Sequence, residues 1–157
     1  MNRKVQVRHG GPTDLPALTQ LFRAYAASLP IDLGYQGFDD ELASLPGKYA
    51  PPDGALLIAR DANGATLGCV AMRPLEPGVC EMKRLYVAPE GRGQGLGLHL
   101  VRAIIEAARA RGYAEMRLDT LGSMGKAQAL YRGLGFTEIG AYYATPIAGT
   151  VFMSLNL

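Results

Sequence analysis

The stretch "YVAPEGRGQGLGLHL", residues 86–100, sets Gly91, Gly93, Gly95 and Gly97 at every second position, between an apolar segment and a run with helical periodicity. Glycine has no Cβ, so this much bare backbone allows positive φ and close approach of a ligand to the main chain. A strand that enters a helix through such a turn presents the first amides of the helix, which lack internal partners and sit at the positive end of the dipole. An anion is the natural occupant, and the spacing narrows which one. The P-loop pattern GxxxxGK[ST] fails, because no glycine here is followed by Lys and then Ser or Thr. The dinucleotide pattern GxGxxG fails in every register, since its last position falls on Leu96, Leu98 or Leu100. The pattern [RQ]-x-x-G-x-[GA] fits, as Arg92-Gly93-Gln94-Gly95-Leu96-Gly97.

The flanking periodicities supply the architecture. "KVQVRHG" alternates as a first strand, and the helix that follows places Leu15, Leu18, Leu21, Phe22 and Tyr25 on one face, with Thr13 or Asp14 as its N-cap. Residues 30–54 mix Gly and Pro with aromatic residues around a short helix, "FDDELASL", and read as a variable connection or a lid. Two apolar runs around Asp61-Ala62-Asn63-Gly64 form a hairpin, and "PGVCEMKRLYVAP" adds a third strand to the meander. Helix 95–111 carries Leu96, Leu100, Val101, Ile104, Ile105 and Ala108 on one stripe and ends at Gly112. Strand 115–120, helix 124–134 and the strands "FTEIGAYY" and "GTVFMSLNL" complete the order β, α, α, β, β, β, α, β, α, β, β. The fold class is α/β, an α+β sandwich on a mixed, mostly antiparallel sheet with helices on both faces. One parallel crossover runs from strand 79–87 through helix 95–111 to strand 115–120, and a single domain spans 1–157.

Composition excludes several classes of function. Sixteen basic against fourteen acidic residues leave a net charge of +2, too slight a bias for a nucleic-acid or membrane partner. The amino terminus has no apolar h-region and no apolar run approaches the roughly 20 residues that span a bilayer, so a cytoplasmic location is expected. Cys69 and Cys80 show no metal-ligand spacing, and no metal is expected. They lie on neighbouring strands, where a disulfide is geometrically open, but a cytosolic setting weighs against one. His9 and His99 have no nucleophile constellation beside them and read as ordinary residues.

The loop pattern, placed directly after "LYVAPE" and before an amphipathic helix, resembles the coenzyme A pyrophosphate loop of the GNAT N-acetyltransferases. Ala127, Tyr131, Gly135 and Phe136 in "ALYRGLGF" and just before it resemble the second cofactor motif of that family, and the order of elements matches from residue 3 onward. The resemblance implies acetyl-CoA as co-substrate, a small-molecule or peptide amine as acceptor, and direct attack of the amine on the thioester. A homodimer is kept open as the assembly. It implies that backbone amides from Arg92 through Gly93, Gln94, Gly95 and Leu96 to Gly97 hold the phosphates, with Arg92 adding charge. The main chain of Leu85, Tyr86 and Val87 would pair with the pantetheine arm where their strand splays from its neighbour. Many relatives have an asparagine seven residues before the tyrosine; here Met124 stands there, with Ser123 as a substitute, and Lys126 could reach the phosphates.

Acetyl transfer also needs a group to take the proton of the amine and one to protonate the leaving thiolate. Glu81 is the candidate base, acting through water, or directly if burial raises its pKa; six residues before Val87, it shares that residue's face unless a bulge intervenes. Lys83 or Arg84 could instead simply pair with it. Tyr131 is the candidate acid. Tyr35, Phe38, Tyr142 and Tyr143 could wall an acceptor pocket, and Asp39, Asp40 and Glu41 would suit a cationic amine. The alternative is a non-catalytic acyl-CoA-binding module, which would keep the glycine loop without a working acid and base.

Overall fold

The computed structural model describes residues 4–157. In chain order it contains β1 (Gln6–His9), α1 (Leu15–Ser28), α2 (Phe38–Ala43), β2 (Ala55–Arg60), β3 (Thr66–Glu76), β4 (Val79–Val87), α3 (Leu96–Ala110), β5 (Glu115–Thr120), α4 (Gly125–Gly133), β6 (Thr137–Ile139) and β7 (Val151–Asn156), with short 3-10 turns between some of them. The strands form one sheet in the order β1-β2-β3-β4-β5-β7-β6. Only the β4 and β5 pair is parallel, joined across α3; the others are antiparallel.

Alternation along the strands divides the core between two faces. Val70, Met72, Cys80, Met82, Met116 and Leu118 point toward α3, whose Leu100, Val101, Ile104 and Ala108 are fully buried, and toward Tyr131 of α4. Each such aliphatic side chain contributes roughly 1.5–3 kcal/mol by leaving water. Leu56, Ile58, Cys69 and Ala71 point the other way, onto Leu18, Leu21 and Phe22 of α1 and onto Phe38 and Tyr49. Cys69 and Cys80 are therefore buried free thiols on opposite faces, and no disulfide can join them.

Asp14 is the N-cap residue of α1, yet its side chain makes no cap bond. It accepts instead from Arg8, Arg60 and the Gly11 amide, tying β1 and β2 to the start of the helix. The expected strand 136–143 is shorter than its sequence suggests. β6 ends at Ile139, and Gly140 leads into an irregular segment whose Tyr142 and Tyr143 rings pack edge-on against Phe152.

Two distortions of β4 shape the middle of the sheet. Its pairing with β5 stops after Glu81↔Arg117, so Met82 to Val87 have no partner on that side. Against β3 the register slips between Cys69↔Tyr86 and Ala71↔Lys83, and Arg84 takes φ 61 in the resulting bulge. For a residue with a side chain, that left-handed conformation costs about 1–2 kcal/mol.

Candidate active site

The glycine turn is built on that opening. Gly93 and Gly95 have φ of 79 and 70, and a Cβ on either would meet no atom within 4 Å, so backbone conformation rather than crowding requires glycine there. Gly95 is the N-cap of α3, and the first helical amide to find an internal acceptor is that of His99. The amides of Gly93, Gln94 and Gly95 donate to no carbonyl among the described residues. That of Arg92 already donates to Pro89, so the free stretch starts one residue later than the sequence suggests. Leu96 is buried in the core and contributes backbone only, while the Arg92 guanidinium lies back on the Val87 carbonyl at 3.2 Å. The Gln94 side chain donates to Glu90.

A cleft of about 720 Å³ runs from this turn along the open side of β4. Leu85, Tyr86, Val87, Arg92, Ser123 and Lys126 all line it, brought together from β4, the turn and the start of α4. Met124 lines it too, at the position where the resemblance calls for asparagine.

Beyond the cleft, charged side chains meet on the α1 and α2 face. Glu81 is 1% exposed; its Oε1 accepts from Arg73 at 2.8 Å, and its Oε2 accepts from the Tyr142 hydroxyl at 2.6 Å. The bulge at Lys83 and Arg84 is the interruption that would separate the two faces, and it puts Glu81 and Val87 on opposite sides of the sheet. Glu81 pairs across with Arg73 on the α1 side, whereas Val87 sits opposite Gly68 and packs toward α3. Burial pushes the Glu81 pKa up, but Lys83, Tyr142 and Arg73 outweigh it, and the carboxyl ends below its ordinary value. The condition for direct abstraction, a pKa raised by burial, is thus absent. Lys83 stands 3.9 Å from Glu81 and donates to Gln36, and burial lowers the pKa of its ammonium. Arg84 does not pair with Glu81. It reaches 43 residues back to grip Glu41 through Nε and Nη2 at 2.9 and 2.8 Å, with its guanidinium 5.2 Å from the Phe38 ring centre.

These contacts reassign part of the acceptor wall. Phe38 is buried beneath Arg84, and Glu41 is neutralised by that arginine. Glu41 and Asp40 nonetheless border a cavity of about 250 Å³ with Arg73, Lys48 and Tyr49. Tyr35 is exposed and lines a small cavity with Asp119 and Thr120. Tyr143 donates to Asp119 as Tyr142 does to Glu81, so both tyrosines hold acids rather than offering bare rings.

Tyr131 is 5% exposed and packs against Phe136, yet it borders a second small cavity with Leu85, Lys83, Asp119 and Thr120. Burial raises its phenol pKa, so it keeps its proton through neutral pH. Asp119 and Thr120 were not singled out in the sequence, since an acid at a strand end carries no motif. Arg73 and Arg84 had one readable signal, which is charge on strands that are otherwise buried.

Comparison with known proteins agrees with this geometry. A family model described as the acetyltransferase (GNAT) family matches residues 18–136. An uncharacterized N-acetyltransferase of Schizosaccharomyces pombe is 46% identical over 147 residues, covering 93% of this chain and 90% of that protein. An acetyltransferase of the GNAT family from Staphylococcus aureus superposes with a TM-score of 0.81 at 18% identity over 98% of this chain and 99% of its own. The yncA protein of Salmonella typhimurium, solved with its cofactor acetyl-CoA, has a TM-score of 0.74 at 20% identity, covering 97% and 93%.

Proposed function

The chain belongs to the GNAT acetyltransferase family, and from that premise we propose that it moves an acetyl group from acetyl-CoA to a primary amine by direct attack on the thioester. The observation that carries this reading is the opening of β4 from β5 beside the glycine turn, which leaves the backbone of Leu85 to Val87 along a 720 Å³ cleft. In this reading the amides of Gly93 to Gly97 receive the pyrophosphate, with Lys126 at the rim of the cleft. Leu85 to Val87 align the amide-bearing arm as an added strand, and Ser123, beside Met124, substitutes for the missing asparagine.

Tyr131 acts on the departing thiolate: burial raises its pKa, which keeps the phenol protonated through neutral pH and makes it a weaker acid than an ordinary tyrosine, so its donation to the sulfur is chiefly a hydrogen bond. Glu81 takes the proton of the amine through water. Its lowered pKa makes it a weak proton acceptor, and its two oxygens are already engaged, so direct abstraction is disfavoured. Glu81→Gln should then lower kcat about 10- to 100-fold with acetyl-CoA affinity retained. An unchanged kcat from pH 6 to 9 removes Glu81 from proton transfer.

The deciding experiment is thiol release from acetyl-CoA across a panel of amines. Release that depends on the amine supports the proposal. Binding of acetyl-CoA with no release for any amine replaces it with a non-catalytic acyl-CoA-binding module.

A further inference from the structure

Resting on the acetyl-transfer reading above, we propose that Asp119 seats the ammonium of the acceptor, and that the acceptor is a primary amine with no carboxylate on the carbon bearing the nitrogen.

The acids already described, Glu81 and Glu41, both have cationic partners. Glu81 meets Arg73 at 2.8 Å and Lys83 at 3.9 Å, and Glu41 meets Arg84 at 2.8 Å. Asp119 has no ion pair among the described residues: its Oδ2 accepts from Tyr143, and its Oδ1 accepts from nothing. One oxygen of this half-buried carboxylate is therefore open to a cation, and the Lys83 ammonium across the inner cavity acts on Asp119 only at longer, coulombic range.

A second observation points to a ligand at the same spot. Two cavities of about 20 and 30 Å³ share Tyr25, Gln36, Asp119, Thr120 and Met124, and each has room for one water-sized polar group. Thr120 is 6% exposed, and its Oγ1 has no hydrogen-bond partner. Asp119 and Thr120 lie on opposite faces of β5, and both reach these cavities because the gap between β4 and β5 is open there. An ammonium has three N–H donors; one satisfies Asp119 Oδ1 and another Thr120 Oγ1. The inner cavity also touches Leu85 and Tyr131, where the thioester would lie.

The walls define the rest of the acceptor. The outer cavity is lined by Leu29, Ile31, Leu33 and Leu121 and by no lysine or arginine. In the inner one, Lys83 is engaged by Gln36 and Glu81, and Arg84 by Gln36 and Glu41. A carboxylate beside the reacting nitrogen would face Asp119 with no unpaired cation to receive it. The apolar walls of the outer cavity suit an alkyl or aryl stem, which must run out of its roughly 20 Å³ past the exposed Tyr35.

Matched pairs test this in the thiol-release assay: phenethylamine against phenylalanine, and 3-methylbutylamine against leucine. The amine of each pair should have at least tenfold higher kcat/KM. Asp119→Asn should raise the amine KM tenfold or more, with acetyl-CoA affinity by calorimetry unchanged within twofold. Thr120→Val should raise KM severalfold, and it decides the matter if the first variant melts below assay temperature. Preference for the amino acids, or an unchanged KM in the folded variants, overturns the assignment of Asp119 while acetyl transfer stands. Absence of release with any amine overturns the transfer reading itself, and this proposal with it.

Discussion

The two sides of the opening between β4 and β5 are made of different materials. The cleft side presents main chain: the amides after Arg92 and the unpaired edge of Leu85 to Val87, with few charged side chains. The opposite side is almost entirely side chain, with Glu81, Lys83 and Arg84 buried and tied to residues far away in sequence. The contrast teaches a division of labour. In the proposed function, backbone groups recognise what every coenzyme A molecule shares, namely phosphates and amides, and they tolerate almost any side chain nearby. Recognition of one acceptor needs charges fixed in place, and fixing them requires partners brought in by the fold.

The contrast breaks most visibly at Glu41. Glu41→Gln leaves the Arg84 guanidinium, 2% exposed, without its counter-charge. Removing one partner of a buried pair costs about 3–5 kcal/mol. Urea unfolding should show a loss of that order, while coenzyme A affinity by calorimetry stays near wild type; equal damage to both would mean the two sides are not separate. Next in size is Tyr131→Phe, which keeps the packing and removes the hydroxyl. We expect kcat to fall about 100-fold, equivalent to about 2.7 kcal/mol, with stability little changed. Retention of near-full turnover would reduce Tyr131 to packing. Gly95→Ala should act on the cleft side alone: a side chain at φ 70 costs about 1–2 kcal/mol, so the free turn relaxes, and restoring it on binding weakens coenzyme A affinity about 5- to 30-fold.

The smallest effect is acid sensitivity. Asp14, held by Arg8, the Gly11 amide and Arg60, and Glu81, held by Lys83, Tyr142 and Arg73 against the upward push of burial, both have pKa values below normal. A depressed carboxyl adds stability that is complete above its unfolded pKa, about 4, and disappears as pH falls through the folded value. Urea midpoints should therefore be level from pH 7 to 5 and drop below pH 4, with Asp14→Asn showing a shallower drop.

Legibility in the sequence follows the same division. The glycine turn, the crossover and the helix stripes could be read because each depends on neighbours within a few residues, and the order of elements is the one observed. The acceptor side could not. Tyr142 meets Glu81 across 61 residues and Arg84 meets Glu41 across 43, and no periodicity encodes such pairs. The face of Glu81 is hidden for a related reason: it depends on a bulge that shifts alternation by one, and that bulge falls on Arg84 rather than on a glycine that would flag it. The truncated β6 shows tertiary contacts overriding strand propensity, since Tyr142 and Tyr143 leave the sheet to hold carboxylates.

An unpaired strand edge ordinarily invites another protein's strand and, through it, aggregation. Here the edge lies in the middle of the sheet, with β5 and β7 beyond it, so a second chain cannot lie flat against it. A linear arm carrying amides can lie along Leu85 to Val87 in the cleft that the opening leaves. Its arrival would supply hydrogen bonds that the chain cannot make for itself. The co-substrate would then be a structural part as well as a reactant, and the melting temperature should climb with the logarithm of its concentration once that exceeds Kd.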